Sequence, residues 1–461
     1  MLFDKQEISE RRRSHHSWQS YQRRNHRRSA LHSIMRFMLA LVAIVATVAI
    51  VLTGLSGRGG DERPVQVAKA SVAGDSGLEK HSPAAVMLDK ARVRTLLIDE
   101  SVVNRRQREF YVTSGNQRYL VETSLDPLLQ GYLMDKLNHD HARYIGMVVM
   151  DPDNGKVLAM VGFNRDDAVN DPCTRMLFPA ASIFKIVTAA AAIEKLGMNS
   201  TSTLRYNGRK HTLYKSQLQD KNNRYTRHIS LRDSFAQSIN PVFGKLGASY
   251  LKGEVLGAYA RKFGFNRDVA FDLPVKPSTL IISDKPYQWA EVASGFNQTT
   301  LITPLHAAMI GSAAVNGGRL LAPTVVERIL DGDGKPVYQS SELVAQRVIS
   351  PNTSQIMRQL MVTTVKKGTG RKVFRGYSRD KVLSKLYLGG KTGSINNDPR
   401  YDWFVGFAGE KGGPQDLVVS VVVAHHKLIG IRAGQYARMA MAFYFGDYFA
   451  HQPPVAKKSR G

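Results

Sequence analysis

Cysteine is nearly absent. Cys173 stands alone in 461 residues, so no internal disulfide can form, and a lone cysteine of this kind is expected to be a small buried hydrophobe. Acidic residues are also short, 38 against 64 Lys and Arg, for a formal charge of +26. The shortage is general: residues 1–36 hold nine basic and three acidic residues, and the remaining excess is spread along the chain without one dominant block. Histidines at metal-ligand spacing are lacking too. "NHDH" at 138–141 and the pair His425–His426 read as surface histidines, so neither a metal nor a cofactor is expected. No internal repeat is present. The length suits about two to four domains and a sizeable core.

Long apolar runs are scarce, with one exception. Residues 37–55, "FMLALVAIVATVAIVLTGL", carry no charge over nineteen positions, close to the ~20 that span a bilayer as a helix. The preceding "RRRSHHSWQSYQRRNHRR" is strongly basic, which holds the N-terminus in the cytoplasm and exports the chain beyond the span. A cleaved signal peptide would have a shorter apolar core, about 7 to 15 residues, and a small-x-small site after it. An uncleaved anchor in a cytoplasmic membrane is expected instead. Trp18 and Tyr21 among these basic residues serve topology in that position, and no nucleic-acid partner is expected.

The expected organisation is a basic cytoplasmic tail (1–36), the anchor (37–55), a polar Gly-containing linker (56–84), a small stalk or pedestal (85–140), a main domain (141–450) and a short tail (451–461). In the main domain, "YIGMVVMDPDNGKVLAMVG" predicts a hairpin about a Pro-Asp-Asn-Gly turn. "TLRYNGRKHTLY" predicts another, turning at Asn207-Gly208. Residues 231–315 read as mostly helical, broken at Pro241, Pro274, Pro277 and Pro304. "LYLGGKTGS", "YDWFVGFAGE" and "LVVSVVVAHH" are three successive strand candidates, and "GQYARMAMAFYFGDYFAH" a closing helix. Strands early and late with helices between favour an α+β domain, whose antiparallel sheet joins both ends and carries a helical insertion.

Within "PAASIFKIVTAAA" (179–191), Ser182 and Lys185 stand three apart with no carboxylate near. On a helix they share a face. Among Ile183, Phe184, Ile186 and Val187 the lysine is poorly solvated, which disfavours its charged form and makes it a proton acceptor. A lysine snorkelling out of a core helix is the plain alternative.

A serine nucleophile needs a base, a second proton carrier and donors for the oxyanion. Ser-x-x-Lys, Ser-x-Asn and Lys-Thr-Gly together supply them. Singly they are weak signals. Ser-x-x-Lys recurs at Ser249–Lys252 and Ser378–Lys381, and Ser-x-Asn begins also at Ser114, Ser350 and Ser394. Only Lys391-Thr392-Gly393 is unique. Ser249 comes after the best Ser-x-Asn, Ser378 lies in a charged stretch, Ser350 reads as a helix N-cap before Pro351, and Ser114 precedes any candidate nucleophile. One ordered set survives: Ser182/Lys185, Ser238/Asn240 and Lys391-Thr392-Gly393.

This set resembles the transpeptidase domain of penicillin-binding proteins, and "ETSLDPLLQ", "ISLRDSFAQSINPVF", "LITPLHAAMIGSAAVNGG" and "DWFVGFAG" extend the resemblance over roughly residues 120–450, in the family's order. The resemblance implies the penicillin-binding transpeptidase/β-lactamase-like fold. It also implies Ser182 as the acylated nucleophile and Lys185 as its base. Ser238 would relay a proton toward the leaving amine, and Asn240 would position Lys185 and hold the substrate amide. Lys391 would shape the electrostatics, and Thr392 would bind the substrate carboxylate. Gly393 would let a substrate strand lie close to the sheet edge, and the backbone N–H groups of Ser182 and Ser394 would form the oxyanion hole. The family usually has glycine before the nucleophile; Ala181 stands there and is expected to narrow the site entrance.

The expected protein is thus a membrane-anchored D,D-transpeptidase acting on peptidoglycan stem peptides, blocked by β-lactam antibiotics, with partners in cell-wall synthesis. About 85 residues between span and domain leave no room for a glycosyltransferase domain. A D,D-carboxypeptidase or β-lactamase on the same fold, an inactive cell-wall scaffold and a β-lactam sensor remain as alternatives. No Glu-x-x-Leu-Asn segment lies beyond Asn240, and the 36 residues before the span are few for a sensor's output module.

Overall fold

The computed structural model describes residues 87–341 and 344–451. The chain divides into two units, Met1–Lys80 and His81–Gly461, and every described residue belongs to the second. The basic tail, the span at 37–55, the linker at 56–84 and the tail beyond 451 lie outside the described residues. Among the described residues no helix is long and apolar enough to cross a membrane.

The expected hairpin is present as β1 (Ala142–Met150) and β2 (Val157–Asn164). Between it and the late strands lie α1 (Lys185–Leu196), α2 (Leu231–Ala236), α3 (Asn240–Lys245), α4 (Pro286–Ser294), α5 (Pro304–Val315) and α6 (Pro351–Lys366). Pro241 and Pro304 do not break helices. Each sits in a first turn, where its missing N–H has no helical partner to lose. Ser350 caps α6, accepting from the Thr353 amide. The late strands are β3 (Leu386–Ile395), β4 (Arg400–Glu410) and β5 (Asp416–His425), and α7 (Ala433–His451) comes after them.

These five strands form one antiparallel sheet in the order β3-β4-β5-β1-β2, so early and late segments meet at its centre. Successive side chains of β1 alternate between two cores. Val148 and Met150 join α1, α5 and α6, whereas Met147 and Val149 join α7. β3 is an edge strand, which leaves one row of its backbone groups unpaired by the sheet.

A second sheet of four strands is built from Glu109–Ser114, Gln117–Thr123, Val326–Leu330 and Pro336–Gln339. It therefore takes two strands from before the main sheet and two from within the long insertion. Cys173 is fully buried, as expected.

The second expected hairpin does not form. Thr203–Tyr206 pairs instead with Arg227–Ser230. Asn207 is drawn toward the 221–226 segment, donating to the Lys221 carbonyl and accepting from Thr226 Oγ1, while Gln217 donates to its carbonyl. These side-chain bonds hold a wide loop where the Asn-Gly pair predicted a tight turn.

Candidate active site

The turn bearing Ser182 is held from three sides. The Trp403 indole donates to the Pro179 carbonyl at 2.9 Å, the Ala180 amide donates to the Thr300 carbonyl at 2.8 Å, and Gly295 packs on the Ala181 carbonyl. A Cβ on Gly295 would lie 1.8 Å from that oxygen, and its φ of +62° suits glycine. Ala181–Phe184 is a 3-10 turn and α1 begins at Lys185. In a 3-10 turn residues i and i+3 eclipse. This brings Lys185 Nζ to 2.8 Å from Ser182 Oγ.

Lys185 is fully buried. Besides Ser182 its Nζ meets Asn240 Oδ1 at 2.8 Å and the Ser294 backbone carbonyl. Burial, reinforced by repulsion from Lys391, holds its pKa well below the usual lysine value. The three partners then dictate where a neutral amine places its protons. Asn240 Oδ1 and the Ser294 carbonyl can only accept, so they take the two N–H groups, and the lone pair faces the Ser182 hydroxyl. That is the arrangement of a base poised against a nucleophile.

Ser238 lies in the bend between α2 and α3, and Asn240 is the first residue of α3. Ser238 takes a left-handed φ of +54°, a conformation that costs a non-glycine residue about 1 kcal/mol or more. Its Oγ accepts from Lys391 Nζ at 3.0 Å. Asn240 is locked from both ends, since Oδ1 accepts from Lys185 and Nδ2 donates to the His211 carbonyl at 3.1 Å. Lys391 is fully buried, also donates to the Thr392 carbonyl at 2.7 Å, and is lowered by burial to about 7.

The residues singled out in the sequence therefore come together: Ser182 with Lys185, Lys185 with Asn240, Lys391 with Ser238, and Thr392, Gly393 and Ser394 on β3 beside them. The competing motif copies at Ser114, Ser249, Ser350 and Ser378 do not join. Ser249, Lys252, Ser378 and Lys381 are exposed, Ser114 is exposed at a strand end, and Ser350 is the cap of α6.

One expectation changes, and one contact is added. A Cβ on Gly393 would come 3.2 Å from Trp403 Cβ, 3.3 Å from Ala181 Cβ and 3.4 Å from Ile183 Cγ1, so its bare Cα admits the close approach of the nucleophile turn. Ala181 does not narrow the entrance, because its methyl is buried beneath the turn against Gly393. Its φ of +49° is the left-handed conformation that glycine takes without strain.

Three contributors carry no sequence signature of their own. The Ser294 carbonyl and the His211 carbonyl act through backbone, which any residue type supplies. Thr369, whose hydroxyl lies 2.5 Å from that of Thr392, arrives from a loop 23 residues upstream. Among the described residues no cluster of side chains suits a metal ion.

The chain has relatives among known proteins. The chain is 28% identical over 346 residues to stage V sporulation protein D of Bacillus subtilis, covering 67% of this chain and 50% of that one. It is 24% identical over 375 residues to peptidoglycan D,D-transpeptidase PbpA of Mycolicibacterium smegmatis, covering 70% and 71%. The chain thus spans half of the Bacillus relative, and its match to penicillin-binding protein 1A of Neisseria lactamica covers 33% of that protein. In fold it is similar to the D,D-transpeptidase domain of a peptidoglycan glycosyltransferase from Eggerthella lenta, with a TM-score of 0.58 at 24% identity over 72% of this chain and 83% of that one. It is also similar to penicillin-binding protein 3 of Mycobacterium tuberculosis complexed with aztreonam, with a TM-score of 0.60 at 20% identity over 72% and 80%. Residues 145–442 match the penicillin binding protein transpeptidase domain, and the chain belongs to that family.

Proposed function

We propose that this protein is a D,D-transpeptidase that crosslinks peptidoglycan stem peptides through an acyl-enzyme on Ser182. The observation that carries the proposal is that Lys185 Nζ is fully buried 2.8 Å from Ser182 Oγ, with Asn240 Oδ1 and the Ser294 carbonyl as its other partners. The names of the Mycolicibacterium relative and of the Eggerthella structure point to the same reaction.

Ser182 Oγ attacks the scissile carbonyl of the donor peptide and its proton passes to Lys185. The backbone N–H groups of Ser182 and Ser394 receive the developing oxyanion. The C–N bond breaks as the leaving amine takes a proton from Ser238, which Lys391 resupplies across 3.0 Å. An acceptor amine then attacks the ester and gives its proton through Ser238 to the now neutral Lys391, Lys185 returns its proton to Ser182 Oγ, and the crosslink is released. Thr392 binds the donor's terminal carboxylate. The edge strand β3 supplies backbone groups for an extended peptide to pair with.

Residues 37–55 anchor the protein in the bacterial cytoplasmic membrane, with the catalytic domain outside, where it meets its substrate, β-lactams and cell-wall partners. A carboxypeptidase or β-lactamase would pass the acyl group to water instead of an amine. Intact-mass spectrometry of the full chain after penicillin treatment, with the adduct mapped, tests the acyl-enzyme: an adduct on Ser182 is expected, and one elsewhere overturns the proposal. Incubating a donor stem peptide with an acceptor amine then separates crosslinked from hydrolysed product. A reporter active only in the cytoplasm, fused after Gly461, should stay silent.

A further inference from the structure

Among the described residues, the Thr369 hydroxyl is a side-chain group from outside the three motifs that bonds the motif hydroxyl expected to bind the substrate carboxylate. It lies 2.5 Å from Thr392 Oγ1, and either oxygen can be the donor. Thr369 is also tied to the segment before Ser238. Its amide donates to the Ala236 carbonyl at 3.0 Å, and its Oγ1 lies 3.3 Å from the same oxygen. The neighbouring Gly368 permits this approach, since a Cβ there would fall 2.2 Å from the Ala236 oxygen. Thr369 thus clamps the Ser-x-Asn segment to the Lys-Thr-Gly strand.

Proton supply determines what the clamp does. Each threonine hydroxyl has one proton and two lone pairs. In the free site Thr392 can donate to Thr369, while Thr369 donates to the Ala236 carbonyl. A carboxylate has no proton and can only accept, so Thr392 must turn its single proton outward to bind one. Its oxygen is then left to accept, and Thr369 is placed to donate to it. We propose that Thr369 is a positioning residue for recognition of the substrate carboxylate. Its hydroxyl changes partner from the Ala236 carbonyl to Thr392 as the carboxylate arrives, and so orients and polarises the Thr392 donor. This rests on the acyl-transfer function proposed above.

The test compares acylation of the full-length protein by benzylpenicillin, which bears the carboxylate, and by benzylpenicillin methyl ester, which bears no charge. Thr369→Val removes the hydroxyl at nearly constant shape, and Thr369→Ser keeps it. Thr369→Val is expected to lower the second-order acylation rate with benzylpenicillin by about 10-fold, the upper end of the loss of one neutral hydrogen bond. The rate with the ester should change by less than about twofold, and Thr369→Ser should behave as wild type. An equal fall with both compounds means a structural role and overturns the inference, as does no fall with either. Wild-type protein that takes up no benzylpenicillin overturns the acyl-enzyme itself, an outcome distinct from both.

Discussion

Lys185 Nζ and Ser182 Oγ lie 2.8 Å apart in a site where the lysine is fully buried and meets no carboxylate. An ion pair would hold such a lysine charged. Here two neutral carbonyl-type acceptors orient it without stabilising its charge comparably, and the nearby Lys391 opposes that charge.

Labelled penicillin should therefore attach to Ser182 alone. Ser182→Ala should abolish labelling, whereas Ser249→Ala and Ser378→Ala should leave it unchanged. Lys185→Ala should slow acylation by at least ~10²-fold, the low end for a positioned base. Persistent labelling of Ser182→Ala would place the nucleophile elsewhere.

Acylation should depend on pH in two limbs. It rises as Lys185 loses its proton, at a pH well below that of ordinary lysine deprotonation. It falls as Lys391 becomes neutral at about pH 7 and its charge no longer attracts the substrate carboxylate. The two lysines interact, so the limbs belong to the pair. Asn240→Asp puts a negative charge in place of the amide oxygen 2.8 Å from Lys185, which favours the ammonium. Its rising limb should move to higher pH in stopped-flow acylation measured from about pH 5 to about pH 9. A limb that stays in place removes Lys185 as the base.

The contact between Ala181 and Gly393 predicts a coupled pair. Gly393→Ala brings a methyl to 3.2 Å from Trp403 Cβ and 3.3 Å from Ala181 Cβ, which presses on the nucleophile turn, and acylation should fall roughly 10-fold, as small displacements of reacting groups do. Ala181→Gly relieves the left-handed strain while losing a buried methyl, leaving stability within about 1 kcal/mol of wild type. Combined, the two changes should recover part of the lost rate, since the contacts with Trp403 and Ile183 remain. Additive losses in the double variant would show that the two side chains do not meet.

The acyl-enzyme should persist. Glu291, three residues before Ser294 on α4, is raised by burial to about 7. A carboxylate with that pKa is a reasonable deacylating base, yet no hydrogen bond joins its carboxylate to Lys185 or Ser182 among the described residues. Nitrocefin should give a stoichiometric burst and then turnover no faster than roughly one per minute, without a rise through about pH 7 and unchanged in Glu291→Gln. Many turnovers per second would make the protein a β-lactamase.

His306 should make stability fall in acid. It is fully buried, its Nε2 lies 2.6 Å from the Phe263 carbonyl, and its Nδ1 has no partner. The carbonyl can only accept, so Nε2 carries the proton and Nδ1 is bare. Burial lowers its pKa to about 4. The unfolded chain, with a pKa of about 6.5, takes up the proton first, so stability is complete above that pH and is lost as pH falls toward about 4. The loss is on the order of 3 kcal/mol. Urea midpoints at about pH 7 and about pH 4 should differ less in His306→Gln than in wild type. An equal difference would assign the acid sensitivity to other groups, such as His425, which burial also lowers to about 4.

What could be read along the chain was whatever neighbouring residues decide among themselves. The β1–β2 hairpin comes from apolar alternation about a turn, α6 from Ser350 and Pro351, and the three late strands and closing helix from their periodicity. The three motifs pick out Ser182, Lys185, Ser238, Asn240 and Lys391 because their side chains carry the chemistry. The pairing of Thr203–Tyr206 with Arg227–Ser230 was not legible, since side-chain bonds from Asn207 to a distant segment outweigh the local turn preference of Asn-Gly. Nor were the carbonyl partners of Lys185 and Asn240, because a backbone oxygen has the same identity at every position and only folding selects which one arrives. The left-handed φ of Ala181 and Ser238 and the meeting of Thr369 with Thr392 belong to the same class. They are imposed by packing α4, the α2–α3 bend and β3 around one turn, and no run of adjacent residues contains the cause.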